Sequence, residues 1–103
     1  MLLVAVTAVG LAVAIEAAEP PSRFESALAD LLRVLLKAKS ESAGVAQKLI
    51  ATSSDLDALA AGDRSVAALK GWRGEVFGRD ALRLCRGEIA LSAKGGAVRV
   101  VTV

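Results

Sequence analysis

The chain has 103 residues, of which 54% are hydrophobic and only 3% aromatic, and it carries a net charge of +2. This length allows one small domain, and a core built from Leu, Val, Ala and Ile rather than from aromatic rings favours packed helices. The single cysteine excludes an intrachain disulfide, and without any histidine a structural zinc site is not expected.

The first fifteen residues form an apolar run. No Lys or Arg precedes this run, Gly10 interrupts it, and Glu16 and Glu19 follow it, all of which count against a secretion signal. The run is also shorter than the about 20 residues that a membrane-spanning helix requires. We therefore assign residues 1–19 to an apolar helix, the remnant of a preceding helical domain, with a secretion signal or membrane anchor as the alternative.

Two consecutive prolines then predict a linker over 20–23, because proline lacks a backbone N–H and pushes the preceding residue towards extended geometry. A Ser-x-x-Glu capping pattern starts at Ser22. The apolar residues that follow have the three-and-four spacing of a helix with one buried face; they are Phe24, Leu28, Leu31, Leu32, Leu35 and Leu36. We predict a helix over about 22–42 that stops at Gly44.

Shorter helical segments are predicted next. A short helix over 45–51 is followed by a capping sequence at 52–55 and by a helix that Gly62 closes. In the stretch 66–86 the apolar positions predict two or three short helices, separated by breaks at glycines. Those glycines are Gly71, Gly74 and Gly78.

The end of the chain changes from helical to alternating periodicity. A two-residue turn at Gly95 and Gly96 would pair Lys94 with Ala97 and place six alternating side chains on one face. These are Ile89, Leu91, Ala93, Val98, Val100 and Thr102. The predicted fold class is therefore an all-α small helical bundle over residues 24–87, followed by a C-terminal β-hairpin over 88–103.

Positive charge is concentrated after Asp63. Residues 64–103 carry eight Lys and Arg against three acids, a balance of +5, whereas residues 1–63 carry five against eight, a balance of −3. Five residues are candidates for contact with nucleic-acid phosphates: Lys70, Arg73, Arg79, Arg83 and Arg86. The last three are spaced by four and three, so one helix face would present them as a row to successive phosphates.

The same basic region is also compatible with three roles that involve no nucleic acid. It fits an ordinary solvated face. It fits a pairing network in which the arginines contact Glu75 and Asp80, and it fits a surface that docks on another protein domain. Charge and spacing alone leave all of these roles open.

Three further residue types have a structural and a chemical interpretation. Trp72, the only tryptophan, is expected to anchor the core rather than to stack on a base. Cys85 is expected to be simply buried, because no histidine exists to activate its thiol. Asp55 and Asp57 lie at a predicted helix start, where capping is favoured over metal binding.

The runs 31–51 and 69–78 together resemble the second helical domain of ribonuclease D, a module of the helicase-and-RNase-D C-terminal (HRDC) type. The most specific part is Gly-Trp-Arg-Gly-Glu at 71–75, and the resemblance is strongest over about 28–87. More weakly, residues 2–13 look like the end of the preceding helical domain. The resemblance implies an accessory, nucleic-acid-binding or structural module of a cytoplasmic enzyme, with RNA such as tRNA precursors and the exonuclease domain as partners and with no membrane.

Ribonucleases D are described as metal-dependent 3′-to-5′ exoribonucleases whose four catalytic acidic residues lie in a separate N-terminal domain. None of those motifs can be carried over to this sequence, so the resemblance implies no catalysis and no cofactor here, with a divalent metal expected only in that exonuclease domain. The rival interpretation is a small secreted or membrane-associated interaction protein. The sequence leaves open whether the chain is a fragment, the product of a wrongly assigned start codon or a free-standing protein.

Overall fold

The structure is a computed structural model, and it describes residues 23–103. The apolar helix predicted over 1–19, and residues 20–22 of the predicted linker, lie outside the described residues.

The first helix, α1, spans Arg23–Ala43, which confirms the helix predicted over 22–42. One of its faces is buried through Leu32, Leu35 and Leu36, as the apolar spacing requires. The burial predicted for Phe24 and Leu31 is wrong, because both lie on the outer side of the helix and are exposed. The helix ends at Gly44, where φ is +71° and the backbone N–H donates to the carbonyl of Ser40 at 2.9 Å. Glycine adopts this left-handed conformation without strain and so closes the helix.

Two short helices follow, α2 at Gln47–Ile50 and α3 at Ser53–Ala60. A reciprocal capping box begins α3: the Asp55 N–H donates to Thr52 Oγ1 at 3.1 Å, and the Thr52 N–H donates to Asp55 Oδ2 at 3.0 Å. The predicted cap is confirmed, and the Asp55 carboxylate is engaged in it.

The next segment is the one that departs most from the sequence pattern. A 3₁₀ turn at Ala67–Leu69 leads into α4, Gly71–Arg73. A π-helical turn, Gly74–Gly78, continues directly into α5, Arg79–Cys85. We call α4, the π turn and α5 together the glycine-rich helix.

The breaks predicted at Gly74 and Gly78 are wrong, because both residues have right-handed helical dihedral angles. Their role is close approach. A Cβ atom added at Gly74 would lie 2.6 Å from the Leu69 carbonyl oxygen, and one at Gly78 would lie 2.4 Å from that of Ala68. The break predicted at Gly71 is confirmed, since its φ of +57° separates the 3₁₀ turn from the helix.

The predicted β-hairpin is confirmed. Strands β1, Ile89–Ser92, and β2, Arg99–Thr102, are antiparallel with Ile89 opposite Thr102 and Leu91 opposite Val100. Gly95 and Gly96 both have positive φ, at 69° and 79°, and the Ala97 N–H donates to the Lys94 carbonyl. This is the geometry that a type I′ turn demands, and it sets the predicted register.

The core lies between α1, the short helices and the glycine-rich helix, and Ile89 of β1 closes one end. Its largest fully buried side chain is Phe77, in the π turn. The other large buried side chains are Leu32, Leu35, Ile50, Leu56 and Leu59. The architecture is a small helical bundle with a C-terminal hairpin, as the sequence predicts.

Candidate nucleic-acid interface

Trp72 does not anchor the core, contrary to the sequence-based expectation. It lies in α4, and 44% of its surface is exposed, whereas Phe77 five residues later is completely buried. The expectation rested on the large apolar area of the ring, which does not indicate the face on which the residue lies.

The Arg73 guanidinium is held in place beside the exposed Trp72 ring. Its Nε donates to the carbonyl oxygen of Leu49, at the end of α2, at 2.8 Å. The guanidinium carbon lies 4.7 Å from the centre of the Trp72 ring, a cation–π distance. Lys70 is exposed and occupies the N-cap position of α4 without a capping hydrogen bond from its side chain, and Leu49 is 55% exposed.

Arg79 begins α5 and is exposed. It borders a shallow open groove between the 3₁₀ turn and the glycine-rich helix, together with Leu69, Glu75 and Leu82. The contact between Arg79 and Glu75 that the pairing alternative predicts is not found. Among residues 23–103, neither Arg79 nor Lys70 forms an ion pair with another described residue.

Arg83 and Arg86 are engaged with carboxylates. Arg83 contacts Asp80 at 3.3 Å, as the pairing alternative predicts, and Glu88 at 3.8 Å. Arg86 donates through Nε to Glu88 at 2.9 Å. The five candidates therefore differ in how free their charges are to meet a phosphate. Lys70 and Arg79 have no described carboxylate partner, and Arg73 uses one of its N–H groups on Leu49. Arg83 and Arg86 are paired with carboxylates.

An ion pair that the sequence analysis missed links the first and last helices of the bundle. Lys39 of α1 contacts Asp80 of α5 at 2.6 Å. Partial burial of the Asp80 carboxyl by itself raises its pKa, but the hydrogen bonds and charges of Lys39 and Arg83 outweigh this effect and leave the pKa below its ordinary value. No sequence pattern signals this pair, because the two residues are far apart in the chain.

Cys85 is half-buried and packs against the core, and this burial raises the pKa of its thiol. Its chemistry is therefore that of a packed thiol rather than a nucleophile. Within residues 23–103, no group of three or more His, Cys, Asp or Glu is arranged to hold a metal ion, and no helix is long and apolar enough to cross a membrane.

The chain is similar to several proteins named ribonuclease D. It is 60% identical over 89 residues to the one from Jannaschia sp., a match that covers 86% of this chain and 23% of the relative. It is 51% identical over 85 residues to that of Granulibacter bethesdensis, covering 82% of this chain and 22% of the relative. It is 51% identical over 74 residues to that of Sphingobium indicum, covering 71% and 19%.

No family model and no solved structure matches the chain. The bundle with its hairpin is, by sequence, homologous to one part of a larger enzyme. That enzyme is ribonuclease D, and the part matched is its C-terminal part. The predicted resemblance to the C-terminal part of ribonuclease D is confirmed. The chain spans about a fifth of the length of the curated relatives it matches.

Proposed function

We propose that this chain is an accessory module of ribonuclease D that binds RNA weakly through backbone phosphates and has no catalysis of its own. The observation that carries the proposal is the 60% identity to the C-terminal part of a ribonuclease D over 86% of the chain. On this proposal residues 24–87 form an HRDC-type module, which follows the apolar helix proposed over 1–19 and the linker over 20–23 and precedes the hairpin. The module works in the cytoplasm and binds the RNA substrates of a 3′-to-5′ exoribonuclease, such as tRNA precursors.

The charges of the described surface support phosphate contact at Lys70 and Arg79 more than elsewhere in the candidate set. Both are exposed, and neither is neutralised by a described carboxylate, whereas Arg83 and Arg86 share Glu88. An arginine that must leave a carboxylate to meet a phosphate gains less from the exchange than an unpaired one. We therefore rank the candidates, with Lys70 and Arg79 ahead of Arg83 and Arg86.

A salt titration of tRNA binding tests the proposal and the ranking together. Each phosphate contact adds about 0.7–0.9 to the slope of log affinity against log salt, so the double variant Lys70→Gln/Arg79→Gln should lower the slope by about 1.4–1.8. The matched control is Arg83→Gln/Arg86→Gln, which removes the same number of positive charges from arginines that are paired with carboxylates. This variant should lower the slope less than Lys70→Gln/Arg79→Gln does. If the full chain binds no tRNA at low salt, the RNA-binding function is wrong; equal effects of both variants would contradict only the ranking.

Catalysis is tested separately. The full chain with Mg²⁺ or Mn²⁺ should leave a 3′-labelled RNA at its original length, since two-metal hydrolysis needs a carboxylate cluster that holds two ions about 4 Å apart. Metal-dependent shortening that persists through repeated purification would overturn this part of the proposal.

Docking on the exonuclease domain of ribonuclease D is the second candidate function, and a separate surface favours it. Helix α1 carries three large apolar side chains on its outer side: Phe24 is 84% exposed, Leu31 40% and Val34 43%. Their spacing of seven and three places them on one helix face. Replacing Phe24 and Leu31 with Ser should abolish co-elution with a separately produced exonuclease domain and leave tRNA affinity unchanged.

A further inference from the structure

The surface around Trp72 adds an exposed aromatic ring to Lys70, one of the phosphate contacts of the proposed function. We define the Trp72 surface as Leu49, Lys70, Trp72 and Arg73. It contains the only tryptophan of the chain, which is 44% exposed in a protein whose core is otherwise well packed. A large ring left at the surface forgoes the burial that would stabilise the fold, so its position calls for a functional reason.

The arginine beside this ring is fixed rather than mobile. The hydrogen bond from Arg73 Nε to the Leu49 carbonyl joins α4 to α2 and holds the guanidinium 4.7 Å from the ring centre. A guanidinium has five N–H donors, and this bond uses one of them. The N–H groups on its two terminal nitrogens form no hydrogen bond with any other residue of 23–103, so a phosphate oxygen beside the ring can accept from them in a bidentate manner.

The approach to the ring is basic. Lys70 lies one turn before Gly74 at the start of the same helix, and the Gly74 N–H donates to the Lys70 carbonyl at 3.2 Å. Lys48, next to Leu49, is also exposed, and neither lysine forms an ion pair with another described residue. An exposed aromatic ring with a fixed guanidinium beside it, and with exposed lysines in the two segments that the Arg73 bond joins, matches the combination by which proteins hold unpaired nucleotides.

We propose that Trp72 is a stacking platform for an unpaired RNA base, with Arg73 contacting the adjoining phosphate; this rests on the proposed RNA-binding function. A base in a duplex has both faces covered by its neighbours, so only single-stranded RNA offers a face to the ring. The predicted ligand class is therefore single-stranded RNA without a strong sequence preference, because every base has a π-face. The basic surface favours this ligand over an apolar protein partner.

The sole tryptophan makes the proposal directly measurable in the full chain. Titration with a 12-nucleotide oligo(U) at low salt should quench the Trp72 fluorescence, and a 12-base-pair RNA duplex at the same phosphate concentration should quench it much less. Replacing Trp72 with Leu should weaken oligo(U) binding by about 5- to 150-fold, the equivalent of one stacked base, and leave the salt slope unchanged. Trp72→Phe should restore a large part of the affinity.

Phe24→Leu is the matched control, since it removes an exposed aromatic ring from α1, far along the chain from the Trp72 surface, and should not change binding. Oligo(U) binding without quenching, or equal affinity of parent and Trp72→Leu, overturns the stacking role while the RNA-binding function stands. Absence of binding to either RNA overturns both. Loss of co-elution with the exonuclease domain in Trp72→Leu, at unchanged RNA affinity, would assign this surface to a protein partner and overturn the proposal.

Discussion

Helix α1 and the glycine-rich helix bury side chains in the same core, yet different forces keep them helical. The helical state of α1 is predicted by its own sequence, since it has good helix formers and an apolar stripe at three-and-four spacing, and burial of that stripe in the core stabilises it. The glycine-rich helix contains Gly74 and Gly78, which lower helix propensity. It is stabilised by close backbone approach to the 3₁₀ turn. A glycine in a helix can therefore indicate a contact rather than a break.

The largest effect that tests this comparison is expected from Gly78→Ala. In an ordinary helix interior the change would stabilise by about 1 kcal/mol. Here the added Cβ would meet the Ala68 carbonyl oxygen at 2.4 Å, and a backbone atom cannot move aside as a side chain can. We expect a destabilisation of about 3 kcal/mol in urea unfolding followed by circular dichroism.

The matched control for Gly78→Ala is Ala27→Gly, at an exposed position of α1. It should destabilise by about 1 kcal/mol, because only intrinsic propensity is lost. A Gly78→Ala variant more stable than the parent would show that the helix and the 3₁₀ turn do not approach each other as described, and the contrast with α1 would disappear.

The same contrast separates what the sequence can predict from what it cannot. The bounds of α1, the capping box and the hairpin register depend on residues close together in the chain, and local patterns predict all three. The helical state of Gly74 and Gly78 is not predicted, because their contacts with Ala68 and Leu69 involve a packing arrangement that propensity does not describe. The exposure of Trp72 is not predicted, because the size of an aromatic ring does not indicate whether tertiary packing covers it.

In the candidate interface, too, the sequence predicts contacts between residues close in the chain and misses contacts that join two elements. The Arg83–Asp80 pair lies at a helical spacing of three, and the sequence indicates it as one alternative. The Lys39–Asp80 pair and the Arg73–Leu49 bond each join two elements, and neither follows from local spacing. The sequence locates the basic region, but which of its charges remain available depends on tertiary neighbours.

The variant Thr52→Ala tests whether the short helix α3, like α1, depends on residues close together in the chain. The substitution removes the hydroxyl that accepts from the Asp55 N–H, and loss of an N-terminal cap destabilises by about 1 kcal/mol. Urea unfolding should show this change, while Ser54→Ala, at an exposed position in the same helix, should leave the midpoint nearly unaltered. Equal effects of the two variants would contradict a specific role for the capping box.

Asp80→Asn tests the ion pair that joins the two helices compared above. The Asp80 pKa is below its ordinary value of 3.8, because Lys39 and Arg83 outweigh the effect of burial. The ionised carboxylate therefore stabilises the fold above pH 3.8, and this contribution is lost as the pH falls below that value. The variant should be less stable by about 1 kcal/mol at pH 7, since the pair is close to the surface, and the difference should shrink as the pH falls below 3.8.

The control for that experiment is Asp30→Asn, which removes an exposed pair with Arg33 inside α1 and connects no two elements. Its effect at pH 7 should be much smaller than that of Asp80→Asn. If the difference between the parent and Asp80→Asn stayed constant between pH 7 and pH 2, the carboxylate charge would not be what stabilises the contact.

The smallest effects are expected from arginines in exposed pairs, and they determine how the RNA experiments can be interpreted. Two arginines contact solvent-exposed carboxylates. Arg33 on α1 lies 2.7 Å from Asp30, and Arg86 after α5 lies 2.9 Å from Glu88. Replacing either with Gln should change the free energy of unfolding by less than about 0.5 kcal/mol, because solvent screens such pairs and ordering two long side chains offsets the attraction. Thermal unfolding at matched ionic strength measures this change in the free energy of unfolding.

If Arg86→Gln proved destabilising by more than about 1 kcal/mol, the Arg86–Glu88 pair would help to hold the hairpin against the helices. A loss of RNA affinity in variants of Arg86 would then report a disturbed fold, whereas a stability change near zero makes the same loss a measure of charge alone.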